Sequence, residues 1–148
     1  MKMTHPSIFA LIILLSLHLP SPPSLQGVIH VEIDGLRSAQ GKVWCALYNS
    51  AKGFPKDASA AQARASSAAS GKHGVCEFTD VKPGTYAVSV YHDENSNGKL
   101  DTNFLGIPKE GVGASNDAKG HMGPPKFSDA AFTFNGDRLE LIIHVHYL

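Results

Sequence analysis

The segment GTYAVSVYH, residues 84–92, decides the fold. Tyr86, Val88 and Val90 alternate with smaller or more polar residues, and this period of two is typical of a β-strand with one buried face. Pro83 and the first glycine of the segment favour a tight turn just before it. The segment therefore predicts a long strand that starts at a turn and buries one face in a core.

Further segments with the same period lie on both sides of this strand, at residues 28–33, 41–48, 75–78, 130–134 and 138–147. Asn135-Gly136, between the last two, is a hairpin turn signal. Six or seven alternating strands joined by turns are buried most simply between two sheets. The sequence predicts an all-β fold, an antiparallel Greek-key β-sandwich of about seven strands.

Two segments interrupt the alternation. Residues 57–70 are rich in alanine and serine, which predicts one short surface helix capped by Asp57 or Ser59. Residues 92–127 contain nine glycines and prolines in their irregular part, which predicts a long loop. A loop of this length on a rigid scaffold is usually functional, so we expect it to be the working surface.

The first 26 residues have the layout of a secretory signal peptide. Lys2 gives a basic start, residues 8–19 are almost entirely apolar, and the proline-rich segment 20–24 ends the run. An uncleaved N-terminal anchor is the alternative. Residues 27–148 then form a single β-sandwich domain that is secreted or periplasmic, with no membrane contact after cleavage.

Charge and motif content exclude several functions. The chain has 13 Lys and Arg against 13 Asp and Glu, and no basic run, which argues against nucleic-acid binding. Neither G-x-S-x-G nor H-E-x-x-H occurs, and we identify no catalytic residues. The chain is therefore not expected to be an enzyme.

The chain has two cysteines, Cys45 and Cys76. Export to an oxidising compartment favours a disulfide between them. The alternative is a pair of small buried side chains with free thiols.

Residues 93–101, DENSNGKLD, have the oxygen spacing of a calcium loop. Gly98 occupies the sharp turn, and Phe104 replaces the usual bidentate glutamate, so Asp101 or Glu110 would complete the shell. The alternative is a polar turn. The expected ligand for these positions is Ca²⁺, bound at about 10⁻⁴ to 10⁻³ M. The predicted metal ligands are Asp93, Asn95, Asn97, Lys99 and Asp101.

Histidines give an alternative metal hypothesis. His144 and His146 share one face of the last strand, and His30 and Glu32 share one face of the first. If these two strands pair, the four side chains could converge on Zn²⁺ or Cu²⁺ in a periplasmic metal-binding protein or metalloenzyme. Ordinary solvent-facing side chains are the other interpretation.

Two stretches resemble known families. Phe78-x-x-Val81-x-Pro83-Gly84-Thr85-Tyr86-x-Val88 resembles the P-G-x-Y hairpin of prealbumin-like β-sandwiches. GTYAVSVYHDENSNGKLDTNFLGIPKEGVGASN, residues 84–116, followed by Pro124-Pro125-x-Phe127-x-x-Ala130, is similar to the exported bacterial family called domain of unknown function 2141.

This resemblance implies an exported single-domain β-sandwich and brings no catalytic residues. Members tend to have aromatic residues in the segment that is residues 111–116 here, where this chain has Val112 and Ala114. We therefore do not expect an aromatic platform in that loop. The sequence predicts an exported binding or structural module whose partner is an envelope or extracellular glycan or protein.

Overall fold

The computed structural model describes residues 27–148, and the predicted signal peptide lies outside them. Within this range no helix is long and apolar enough to cross a membrane. Eight strands form two sheets. They are β1 (Val28–Asp34), β2 (Lys42–Tyr48), β3 (Ala63–Ala68), β4 (His73–Phe78), β5 (Gly84–Asp93), β6 (Gly111–Ala114), β7 (Phe132–Phe134) and β8 (Arg138–His144).

The smaller sheet has the strand order β4-β1-β8. β1 pairs antiparallel with β4 and parallel with β8, which is a departure from the antiparallel pairing that the sequence predicts. The larger sheet has the order β3-β2-β5-β6, and β7 pairs with the first residues of β5. The predicted all-β sandwich is confirmed.

β5 runs through the larger sheet as the long strand that the sequence predicts. Tyr86, Val88 and Val90 are all buried, at 4%, 0% and 3% exposure. They meet the apolar face of β1, where Ile29 and Val31 are fully buried, in one hydrophobic core between the sheets. Burial of this strand face supplies the main driving force for closing the two sheets.

The disulfide joins the two sheets through this core. Cys45 of β2 and Cys76 of β4 are bonded, and each residue is 2% exposed. The free-thiol alternative is therefore wrong.

The prediction of a helix in residues 57–70 is wrong. A single 3-10 turn, Ala58–Ala60, is capped by the carboxylate of Asp57, and the edge strand β3 follows it. Ala63 and Ala65 pack against the core from alternate positions of that strand. Pairing with β2 and burial of small side chains override the helix preference of alanine.

The predicted irregular loop 92–127 is also partly wrong, because it contains strand β6 and the start of a helical turn, Phe127–Ala130. A Cβ atom on Gly113 would lie 2.8 Å from Ile143, and one on Gly111 would lie 2.6 Å from Tyr147. Glycine is needed where the chain around β8 crosses this strand so closely. These glycines remove the alternation by which the strand could have been recognised.

We expect loss of the disulfide to cost about 3–4 kcal/mol of unfolding free energy. Its cysteines are 31 residues apart, and opening a loop of that length releases conformational entropy in the unfolded chain. Urea unfolding of Cys45→Ala/Cys76→Ala, followed by circular dichroism, measures this loss. Reduction should shift the wild-type midpoint to that of the variant and leave the variant unchanged. An unchanged wild-type midpoint would contradict the prediction.

Candidate functional site

Buried polar side chains gather where β5 runs into the connection to β6. His92 and Asp93 end β5, and Glu110 lies just before β6; they are 0%, 1% and 5% exposed. Buried polar groups need hydrogen-bond partners, so their surroundings must supply donors and acceptors. This end of the sandwich is the candidate site.

The Asp93 carboxylate organises the loop. Its Oδ1 accepts from the backbone N–H of Asn97 at 3.0 Å, and its Oδ2 accepts from that of Gly98 at 2.8 Å. The Trp44 indole Nε1–H donates to the same Oδ2 at 3.1 Å. Three donors therefore satisfy a carboxylate that burial would otherwise destabilise.

The predicted side-chain ligands come together. Asn95 Nδ2 donates to Asp101 Oδ2 at 2.6 Å, and Asn97 Nδ2 donates to Asp101 Oδ1 at 3.0 Å. The Lys99 side chain is exposed, and its backbone N–H donates to Asn97 Oδ1 at 2.9 Å. Gly98 has φ +76°, which agrees with its predicted place at the sharp turn.

Glu110 fastens both ends of the loop. Its Oε1 accepts from the backbone N–H of Glu94 at 3.0 Å, and its Oε2 accepts from that of Asp101 at 3.0 Å. Phe104, which replaces the usual calcium-loop glutamate, is 95% exposed and takes no part. A glutamate at the last position of a calcium loop coordinates the cation with both carboxylate oxygens. Because Phe104 cannot do so, a carboxylate outside that position would have to take this role.

The loop's oxygens already have hydrogen-bond donors. The amides of Asn95 and Asn97 point their Nδ2 groups at Asp101, so a cation bound among them would require these amides to turn their oxygens inward. Such a turn would exchange hydrogen bonds for the oxygen coordination that Ca²⁺ prefers.

A second network packs under the loop. His92 Nδ1 lies 2.7 Å from the Tyr147 hydroxyl, and its Nε2 lies 2.7 Å from the Gln40 carbonyl oxygen. A carbonyl only accepts, so Nε2 carries a proton and donates to Gln40. The Arg37 backbone N–H donates to the Tyr147 hydroxyl at 3.0 Å. These contacts fix the orientation of the imidazole ring.

An ion pair links this network to the loop. Arg37 donates through Nη2 to Glu94 Oε1 at 2.6 Å and through Nε to Oε2 at 3.1 Å. This hydrogen bonding is the main cause that holds the pKa of Glu94 below its ordinary value, while partial burial opposes it. No local sequence pattern predicts this pair, because its members are 57 residues apart.

The alternative histidine site does not form. β1 and β8 do pair, as that hypothesis requires, but His30 lies opposite Glu140, and His144 lies opposite Asp34. Four residues along a strand separate the two histidines by about 13 Å. His144 Nδ1 bonds instead to Asp117 Oδ2 at 2.8 Å.

The other two residues of this predicted site, Glu32 and His146, do not bring the four side chains together. Glu32 lies opposite Ile142 of β8, between the two levels at which His30 and His144 lie. His146 pairs through its backbone with Val112, on the far side of β8. Among residues 27–148, no three or more His, Cys, Asp or Glu side chains are grouped so that they could hold a metal ion. The predicted calcium loop would depend on amide and backbone oxygens as well as carboxylates.

A family model described as "Uncharacterized protein conserved in bacteria (DUF2141)" matches residues 31–141, about three quarters of the chain. The match includes both the sandwich core and the loop at the end of β5. No curated protein and no solved structure matches the chain.

We expect Asp93→Ala to lower the unfolding free energy by about 3 kcal/mol, because three N–H donors lose a charged acceptor. Asp101→Ala is the matched control, and it should cost about 1 kcal/mol because its partners are exposed side-chain amides. Urea unfolding in EDTA, followed by circular dichroism, isolates the hydrogen bonds from any effect of cations. Equal losses in the two variants would show that Asp93 does not organise the loop.

The Arg37–Glu94 pair should make stability depend on pH. The folded pKa of Glu94 is depressed, so its contribution is complete above the unfolded pKa of about 4.3 and is lost as pH falls through the folded value. Arg37→Gln removes the main cause and should flatten the dependence of melting temperature on pH between about 5 and 3. Arg138→Gln, which leaves this pair intact, should keep the wild-type slope. Identical slopes in all three proteins would contradict this assignment.

Proposed function

The chain belongs to the DUF2141 family, and on that premise we propose that it is an exported, secreted or periplasmic, binding module stabilised by a calcium-type loop at residues 93–101. Its partner is an envelope or extracellular glycan or protein, and it binds this partner without catalysis. Neither nucleic acid nor the membrane is a partner after the signal peptide is removed.

One observation carries the calcium part of this proposal. The side chains of Asp93, Asn95, Asn97 and Asp101 meet within hydrogen-bond distance of each other or of the same backbone amides. Gly98 makes the left-handed turn between them. Oxygen donors at alternate positions of a tight loop suit the six to eight hard ligands that Ca²⁺ takes.

Calcium would act on the fold through Asp93. This residue ends the central strand β5 and also accepts from Trp44 of β2. A cation that orders the loop would thereby hold one end of the larger sheet and the aromatic side chains on it. The alternative is that the hydrogen bonds of the loop are sufficient and that it acts as a polar turn.

Thermal melting in EDTA, in about 1 mM Ca²⁺ and in about 1 mM Mg²⁺ tests this proposal. A site with a dissociation constant near 10⁻⁴ M adds about 1.4 kcal/mol at about 1 mM Ca²⁺. For a domain of this size the gain corresponds to about 4–7 °C in melting temperature. Mg²⁺ should give a smaller rise, because it demands near-ideal octahedral geometry.

Two variants separate loop binding from general effects of divalent ions. Asp101→Ala should abolish the rise caused by Ca²⁺, since it removes a carboxylate that both asparagines reach. Asp137→Ala removes a carboxylate from a different turn and should keep the whole rise. A wild-type protein that melts at the same temperature in EDTA and Ca²⁺ would reduce the loop to a polar turn.

A further inference from the structure

The outer face of the larger sheet is covered over only half its length. Near one end, Phe54 and Phe127 pack over Ala87 and Ala114. Nearer the loop, Trp44 lies opposite Tyr91 on the neighbouring strand, and both side chains stay partly exposed among residues 27–148. The open half is therefore a shelf whose floor is aromatic.

The two rings of this shelf are held in a fixed arrangement. Their planes are within 14° of parallel, and their centroids are 6.5 Å apart. The Trp44 indole donates to Asp93, and the Tyr91 hydroxyl donates to the Gly98 carbonyl oxygen at 3.1 Å. Rings anchored at their polar ends lose little conformational freedom when a ligand stacks on them.

The rim of the shelf is positively charged. The Arg64 guanidinium lies over the Trp44 ring, 5.4 Å from its centroid, in a cation–π contact, and Lys42 lies two residues before Trp44 on the same face. Both cations are exposed, and within residues 27–148 neither forms a salt bridge. Asp93, the acid opposite Lys42, is committed to the loop and to Trp44. Lys42 and Arg64 are therefore the two cations that a ligand on the shelf can reach.

We propose that this shelf binds an acidic polysaccharide, a chain of sugar units that carry carboxylates, such as uronic acids. The inference rests on the proposed binding function and gives its ligand class and its site. The C–H face of a sugar ring suits the parallel aromatic rings once Arg64, which lies over Trp44, turns its fork to a sugar carboxylate. A shallow and open surface suits a polymer that lies across it.

Residues beside the rings fit the same ligand. Ser66 lies opposite Trp44 on β3, and Ser89 precedes Tyr91 by two positions, toward the covered half. Their hydroxyls can both donate to and accept from sugar hydroxyls. The glycine-rich segment 111–116 contributes to this shelf only Val112, which lies at its border opposite Tyr91.

Trp44 is the only tryptophan of the chain, so its fluorescence reports on the shelf and, through its hydrogen bond to Asp93, on the adjoining loop. We expect tetragalacturonate to change the emission of the purified protein with saturation. Maltotetraose, a neutral sugar of the same length, should bind at least about tenfold more weakly. Titrations at fixed Ca²⁺ and in EDTA separate this result from calcium binding, which the melting experiment reads independently.

Variants of Arg64 test whether its positive charge binds the sugar carboxylate. Arg64→Gln should weaken tetragalacturonate binding about tenfold, whereas Arg64→Lys should retain part of the affinity. The matched control is Arg138→Gln, an exposed arginine on the smaller sheet, which should bind as wild type does. Neither variant at Arg64 breaks a hydrogen bond or salt bridge within residues 27–148, but Arg64→Gln removes the cation–π contact with Trp44, so each variant is compared with its own sugar-free emission. Circular dichroism checks that both fold.

Three results would overturn the proposal. One is an emission spectrum that tetragalacturonate leaves unchanged up to about 10 mM. Another is equal affinity for maltotetraose, and the third is equal binding by Arg64→Gln and Arg138→Gln. If Ca²⁺ raises the melting temperature but tetragalacturonate leaves the tryptophan emission unchanged, the loop proposal stands and the glycan proposal fails. A sugar response without a calcium effect gives the reverse result.

Discussion

The carboxylate of Asp93 is the constraint on which one end of this molecule depends. It is buried where a strand, a loop and an aromatic side chain of the neighbouring strand meet, and N–H groups from all sides satisfy it. Burying a charge without such donors would cost several kcal/mol. The loop must therefore fold back on the strand that leads into it, and Trp44 must lie along the sheet rather than stand away from it.

The core imposes a different kind of constraint. Its strands bury one face by simple alternation, and this requires only apolar side chains of suitable size. The disulfide adds a covalent link between the sheets at Cys45 and Cys76. Polar specificity at the loop end and apolar burial at the centre are thus separate features, and Asp93 connects them because it is the last residue of β5.

The sequence predicted those parts of the structure that local patterns determine. Alternation identified the strand with Tyr86 and its neighbours, and the oxygen spacing identified the loop whose side chains meet. Alanine-rich composition wrongly predicted a helix at β3, because tertiary contacts there place the alanines in an edge strand. Strand β6 was not predicted, because its two glycines interrupt the alternation of side chains. They are glycines because the chain around β8 passes close by. The Arg37–Glu94 pair and the ring pair at Trp44 could not be predicted, because contacts between segments distant in sequence bring their members together: two loops for the ion pair and the register of β2 on β5 for the rings.

The parallel pairing of β1 with β8 has a practical consequence for handling the molecule. Both strands run toward the loop end, so Gly27 packs beside Val81 at the opposite end, while Tyr147 touches Arg37 beneath the loop. A purification tag or a linker to a surface joined before Gly27 would lie at the end of the sandwich away from the loop. The same addition after Leu148 would lie at the loop end. For immobilised formats, the direction of attachment decides whether the loop end faces the solution or the support.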